Sequence, residues 1–226
     1  MSLLRPDLRE EMVFYKQGYR LIAGLDEAGR GSWAGPVAAG AVILPLSHDG
    51  LEQALDGVRD SKQLNPSERE RLYDVIQTEA LAVGVAMVPP DQIDELGIVP
   101  ATKKAMALAI ARLPSPPDFL LVDFLRLPWL DYPQKSIVHG DALCLSIAAA
   151  SIVAKVSRDR FMVELDGQYP GYGFARHKGY GTPQHRAALD RLGPSPIHRF
   201  SYAPVRAATQ EGPRLPKSRR LRKSDG

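Results

Sequence analysis

The sequence is poor in cysteine. Among 226 residues only Cys144 carries a thiol, so no intramolecular disulfide can form. That suits a reducing compartment, and a cytoplasmic protein is expected. Long apolar runs are also missing. The longest, Ala142 to Ala154, is interrupted by serines, whereas a bilayer span needs about 20 apolar residues. No membrane association is expected. The N-terminal stretch MSLLRPDLREEMVFYKQGYR mixes acids with bases and has no apolar core, so no signal peptide is expected. No internal repeat is present. What remains is a chain with 44% apolar residues, enough to bury a substantial core.

The formal charge is only +3, but it is unevenly placed. Six bases (Arg214, Lys217, Arg219, Arg220, Arg222 and Lys223) follow residue 206, against two acids, Glu211 and Asp225. Residues 1–206 hold 23 bases and 24 acids. The length suits one domain, 1–206, with a basic tail, 207–226. The tail is expected to be disordered and to attract polyanions non-specifically.

Patterning places strands at Leu21–Asp26, Val37–Leu44, Leu81–Val88, Phe119–Asp123 and Ser136–His139. Helices are expected at 6–16, Pro66–Ala80, Ile93–Leu113 with a break at Gly97–Pro100, Asp141–Gln168 and Thr182–Leu192. Tyr169–Tyr180 reads as glycine-rich loop. Strands come first and then alternate with helices. The class is α/β, with helices around a mixed sheet whose early strands are antiparallel.

One segment, LIAGLDEAGRGSWAGPVAAGAVIL (Leu21–Leu44), carries two signals. Its centre, GRGSWA, fits the dinucleotide-binding pattern G-x-G-x-x-G/A. In that fingerprint the glycines open a helix whose N-terminus meets a pyrophosphate. Here Gly35-Pro36 and a strand-like VAAGAVIL follow, and no ribose-binding acid stands about 20 residues on. Dinucleotide binding is therefore rejected.

The acids carry the second signal. Asp26 ends the first strand, Asp123 ends FLLVD, and Asp141 begins the long helix. If the strands are neighbours, Asp26 and Asp123 converge at one edge, with Glu27 and Asp141 on the flanks. Converging carboxylates raise each other's pKa, and hard divalent cations relieve that strain. A cation would also reconcile the acids with a substrate phosphate. Each acid alone has a structural reading too: a turn residue, an Asx turn, or in Asp141 a helix N-cap. Neighbouring strand residues point to opposite faces. Asp26 and Glu27 therefore share a site only if the strand ends between them. Spacing leaves both readings open.

The blocks around these acids are more specific. GLDEAGRGSWAGPV, DSKQL (Asp60–Leu64), GDALCLSIAAASIVAKVSRD (Gly140–Asp159), GYGFARHKGYGTPQH (Gly171–His185) and HRFSYAPV (His198–Val205) occur in that order. Together they closely resemble ribonuclease HII, the type 2 ribonuclease H family, over Leu21–Val205. Ribonuclease HIII is a relative with a long N-terminal extension, and only about twenty residues precede the first strand here.

The resemblance implies a ribonuclease H-like fold with a C-terminal helical part. It implies magnesium- or manganese-dependent endonucleolytic hydrolysis of the RNA strand in RNA–DNA hybrids and at single ribonucleotides in duplex DNA. Its four metal-binding acids correspond to Asp26, Glu27, Asp123 and Asp141. Gly29, Arg30 and Gly31 correspond to the loop set against the ribonucleotide 2′-hydroxyl, and Tyr180 to the tyrosine at the ribonucleotide–DNA junction. A 2′-hydroxyl separates RNA from DNA, and backbone reads it best where no side chain intervenes. Lys62, Lys155, Arg158, His177 and Lys178 are candidate phosphate contacts, with Ser61 and Ser151 as polar helpers. On one continuous helix Lys155 would lie about 21 Å from Asp141. Cys144 reads as core. Phe124 departs from the glycine usual after the third acid, and Asp131 is a nearby rival carboxylate. A monomer is expected. Two alternatives stay open: a non-catalytic nucleic-acid-binding module, and a magnesium enzyme acting on small phosphate esters.

Overall fold

The computed structural model describes residues 5–211. The first half holds α1 (Arg9–Lys16), β1 (Ile22–Ala28), β2 (Val37–Ile43), α2 (Leu51–Ala54), α3 (Pro66–Glu79), β3 (Ala82–Val88), α4 (Pro90–Leu96) and α5 (Ile98–Ala111). The second half holds β4 (Phe119–Asp123), β5 (Gln134–Ile137), α6 (Gly140–Leu143), α7 (Leu145–Gln168), α8 (Phe174–His177), α9 (Pro183–Leu192) and α10 (Ala203–Glu211). The strands form one sheet in the order β3-β2-β1-β4-β5. β1–β2 and β2–β3 are antiparallel, and β1–β4 and β4–β5 are parallel. This is the expected mixed sheet. No helix of the described residues is long and apolar enough to cross a membrane.

Small residues set the layer spacing. β2, VAAGAVI, is buried at all seven positions because helices cover both faces. On one face α4 and α5 pack against Ala23, Leu25, Ala39 and Ala41. On the other, α7 lies so close that a Cβ on Gly40 would stand 2.5 Å from the Ala150 carbonyl. A Cβ on Gly24 would strike the Ser146 backbone. The C-terminal helical part closes around Ala34, Met162, Tyr172, Phe174 and Ala188. α10 then packs Val205 and Ala208 on Leu189. It runs to Glu211, across the boundary expected at residue 206, and residues 212–226 lie outside the described residues.

Three further expectations are corrected. The fifth strand is Gln134–Ile137, because His139 takes a left-handed backbone, φ 56°, that no strand accepts. The long helix is broken at Cys144, which is extended (φ −111°, ψ 127°). There the N-terminal segment intervenes: Asp7 N–H donates to Leu143 O and Leu145 N–H donates to Asp7 O. Asp141 therefore sits on a separate helical turn, and its spacing from Lys155 along one helix does not apply. The stretch 169–180 contains the short α8. Cys144 itself is fully buried, as expected.

Buried Glu11 of α1 caps the start of α7. Its Oε1 accepts the Ser146 N–H at 2.8 Å and the Ser146 hydroxyl at 2.7 Å. Gly40→Ala is expected to lose about 1–3 kcal/mol through overpacking. Gly167→Ala, in open helical space on α7, is expected to gain roughly 0.5–1 kcal/mol. Urea unfolding reads both, and a Gly40→Ala protein as stable as the parent would disprove the close approach of α7.

Candidate active site

The ladder between β1 and β4 ends at Leu25–Val122. β1 nevertheless continues through Asp26, Glu27 and Ala28, still paired to β2. The strand does not end between Asp26 and Glu27, so that condition for a shared site is overturned. What joins them is the fork where β1 and β4 part. One carboxylate oxygen from each of Asp26, Glu27 and Asp123 lies within 4.8 Å of the others. Asp26 Oδ1 accepts the Glu27 N–H at 2.6 Å, which turns that carboxylate along the strand towards its neighbour. Asp123 Oδ1 accepts the Gly140 N–H at 2.8 Å. The rival Asp131 is exposed and outside this group.

Asp141 stands beside the three, not among them. It is buried, and its Oδ2 accepts the Lys62 ammonium at 3.2 Å. It caps neither α6 nor α7, whose N-caps are His139 and Cys144. Lys62 is delivered by a short 3₁₀ turn, Ser61–Gln63, that Asp60 caps. Ser151 Oγ accepts the Ser61 N–H at 3.2 Å and donates to Ser61 Oγ at 2.8 Å. The two serines thus brace the Lys62 turn against α7.

Burial raises the Asp26 pKa well above its ordinary value, and the charges of Glu27, Asp123 and Asp141 raise it further. Asp123 is pushed up to about 6 by burial, aided by Asp141 and Glu27 and opposed by the Gly140 N–H. Burial alone would lower the Lys62 pKa, but Asp60, Asp141 and Asp26 together raise it. Asp26 Oδ2 and Glu27 Oε2 are buried without any hydrogen-bond partner. Unpartnered buried carboxylate oxygens in a close group fit a hard divalent cation, which takes oxygen ligands.

The glycine loop follows β1 and is clamped by two buried arginines. Arg199 donates to the carbonyls of Gly29 (2.7 Å), Arg30 (2.8 Å) and Gly35 (3.0 Å). Arg158 donates to Pro36 (2.8 Å), Lys178 (2.9 Å) and Ala34 (3.1 Å). Arg158 is fully buried, so the expected phosphate contact does not fit its placement. Gly29, at φ 90°, leaves no room for a Cβ beside the Arg158 guanidinium. Gly31 is exposed and faces open space. Arg30 Nη1 pairs with Glu27 Oε1 at 3.1 Å.

Tyr180 is tied to the same loop, because the Trp33 N–H donates to the Gly179 carbonyl at 2.8 Å. Lys155 Nζ stands 5.1 Å from the Tyr180 ring centroid and pairs with Asp159 at 2.7 Å. His177 is buried, accepts the Gly179 N–H at Nδ1, and sets Nε2 2.9 Å from the Tyr172 carbonyl. With both ring nitrogens occupied, it is not a phosphate contact. Lys178 Nζ donates to Ala175 O. Beyond Tyr180, a cavity of about 330 Å³ is lined by five bases, Arg69, Lys155, Arg160, Arg176 and Lys178, and by two acids, Glu70 and Asp159.

Among the described residues three non-glycine residues have left-handed backbones: Phe124, His139 and Lys178. Phe124 follows Asp123, His139 stands two before Asp141, and Lys178 stands two before Tyr180. Such conformations cost roughly 1–3 kcal/mol each and collect at functional sites. Sequence reading missed Arg199 as a clamp. It lies within the HRFSYAPV block, but a lone arginine there carries no sign that it is buried.

Arg199→Lys cannot serve three carbonyls in that geometry. It is expected to lose about 2–4 kcal/mol, since buried unpaired carbonyls cost roughly 1–3 kcal/mol each; guanidinium unfolding measures it. The raised Asp123 pKa gives a second expectation. A carboxyl raised in the fold stabilises the protein below its unfolded pKa, and that stability is lost as pH rises through about 6. Metal-free Asp123→Asn should therefore melt a few degrees above the parent at pH 8, with the gap closing towards pH 5. Magnesium or manganese should raise the parent's melting temperature at pH 8 and leave the variant's unchanged. Equal shifts in both proteins would remove Asp123 from the cation site.

The family model of ribonuclease HII matches residues 23–205. The ribonuclease HII of Dehalococcoides mccartyi is 56% identical over 207 residues, covering 91% of this chain and 96% of that protein. That of Chloroflexus aggregans is 55% identical over 205 residues, covering 89% and 95%. Among solved structures, ribonuclease H2 from Pyrococcus horikoshii superposes with a TM-score of 0.71 at 28% identity, over 84% of this chain and 97% of that one. With a family match across most of its length and relatives above half identity, the chain belongs to the ribonuclease HII family of metal-dependent ribonucleases H.

Proposed function

We propose that this chain cuts the RNA strand of RNA–DNA hybrids and cuts on the 5′ side of a single ribonucleotide in duplex DNA. The products carry 3′-hydroxyl and 5′-phosphate ends. The observation that carries the reading is the fork: three close carboxylates, two of them (Asp26 and Glu27) with buried unpartnered oxygens, two residues from a backbone loop open at Gly31. Asp26, Glu27 and Asp123 would hold the cations, magnesium or manganese, with Asp141 completing the set from α6. Bound there, two such ions would supply Lewis acidity for the attacking water and the leaving oxygen.

The chain's own groups position the substrate. The Gly29–Arg30–Gly31 backbone, fixed by Arg199, reads the 2′-hydroxyl. The Tyr180 ring packs on the sugar at the ribonucleotide–DNA junction, backed by Lys155. Lys62 offsets the charge of Asp141 and keeps that carboxylate aimed inward. The basic lining beyond Tyr180 tracks the phosphate backbone, which makes binding salt-dependent. A monomer in the cytoplasm, acting in ribonucleotide removal from DNA, is the setting this chemistry suits.

A duplex with one labelled ribonucleotide, incubated with magnesium or with manganese, tests the reading. Cleavage 5′ of the ribonucleotide is expected. An intact strand at high enzyme concentration would refute it, and turnover of free nucleotides would favour a small-ester hydrolase. Asp141→Asn is expected to bind the duplex and to cut at least about 100-fold more slowly, as loss of one transition-state electrostatic group does. Parental turnover by that variant would remove Asp141 from the machinery.

A further inference from the structure

Phe124 immediately follows the acid Asp123, and the residue is 60% exposed. Its backbone is left-handed at φ 55°, a conformation glycine adopts freely and a bulky residue resists. Two hydrogen bonds hold it there. The Phe124 N–H donates to Ile137 O at 2.9 Å, and the Leu125 N–H donates to Asp123 O at 2.5 Å. The ring joins none of the buried clusters of the described residues. Val138, 59% exposed, follows the residue to which Phe124 is bonded. Backbone strain and an exposed aromatic therefore coincide at one residue; the two hydrogen bonds fix the backbone, and the fold's own packing does not account for the exposed ring.

We propose that Phe124 is a substrate-contacting specificity residue, whose ring packs on a sugar of the cut strand beside the reacting phosphate. The inference rests on the reading of the site under Proposed function. Consecutive Cα atoms are about 3.8 Å apart, so a phosphate held at Asp123 brings its flanking sugars within reach of the ring. In a duplex the bases stay stacked inside, and the rim meets the C–H faces of the sugars. An aromatic face covers such a surface, and glycine at the same φ cannot. The strained backbone serves to hold the ring outward at the edge of the acids.

Steady-state cleavage of a single-ribonucleotide duplex, with thermal melting of the same full-length proteins, tests this. Phe124→Gly relieves the backbone and is expected to melt no lower than the parent. Its KM for the duplex should rise about fivefold to tenfold, the lower part of the range seen when aromatic contacts to nucleotides are removed. Its kcat should stay within about twofold, and Phe124→Tyr should keep the parental KM. A KM for Phe124→Gly within twofold of the parent overturns the proposal while leaving the cleavage reading intact. So does a melting temperature several degrees lower, which would make the ring a packing residue. A parent that leaves the duplex uncut overturns the cleavage reading, and this inference with it.

Discussion

Between β1 and β4 the hydrogen-bond ladder stops at Leu25–Val122, one step short of two carboxylates. A continued parallel ladder would set Asp26 beside Asp123 at about 4.8 Å, and like charges directly across strands are destabilising. The strands part instead, and β1 goes on with β2 as its one partner. Glu27, which the pleat sends to the opposite face from Asp26, reaches the same opening because β4 no longer stands in the way. The parting leaves one oxygen from each of Asp26, Glu27 and Asp123 within 4.8 Å of the others, so their mutual repulsion stays concentrated at the fork and raises the Asp26 pKa.

One helix fixes the surroundings of that fork. α7 meets β1 and β2 at contact distance because Gly24 and Gly40 carry no side chain. From this position four of its residues hold one helix and three loops. Ser146 is fastened by Glu11, Ser151 braces the Lys62 turn, Lys155 stands over Tyr180, and Arg158 clamps the chain at 34–36. Arg199 supplies the matching clamp on Gly29 and Arg30 from the C-terminal part. Both buried guanidinium groups are met by carbonyl dipoles and not by carboxylates. They therefore lock the loop without drawing the acids away from the fork.

The layer architecture was legible because it is written in periodicity and small residues. VAAGAVI, bounded by Gly35-Pro36 and Pro45, reads as a strand and is one, and Thr182-Pro183 opens its helix as the cap rules require. Phe119–Asp123 came out at its observed bounds. Asp123 was legible as a strand end, whereas β1 runs on past Asp26 to Ala28; the order of the blocks along the chain made the family recognisable. The break at Cys144 was hidden, because it comes from a bridge to Asp7, 137 positions away. The same holds for Arg158. Its charge suggests phosphate, while its burial depends on how Ala34, Pro36 and Lys178 meet in space. Long-range hydrogen bonds to backbone carbonyls leave no periodic trace, so they decide roles that composition misassigns.

The order of residues along β1 also bears on selectivity. Glu27 and Gly29 are two positions apart, which in extended chain is about 7 Å, close to the length of one nucleotide. Under the proposed reading, one short segment carries both the groups that hold the cations and the backbone that reads the sugar. Discrimination and cleavage then cannot be set independently, because any shift of the loop relative to β1 moves both. The two arginine clamps act on this coupling: they hold the carbonyls of Gly29, Arg30 and Ala34–Pro36 to the scaffold. A sugar lacking the 2′-hydroxyl would leave the loop's backbone groups unpaired at the same place where its phosphate must be held. Rejection of DNA is thus expressed at the reacting centre itself.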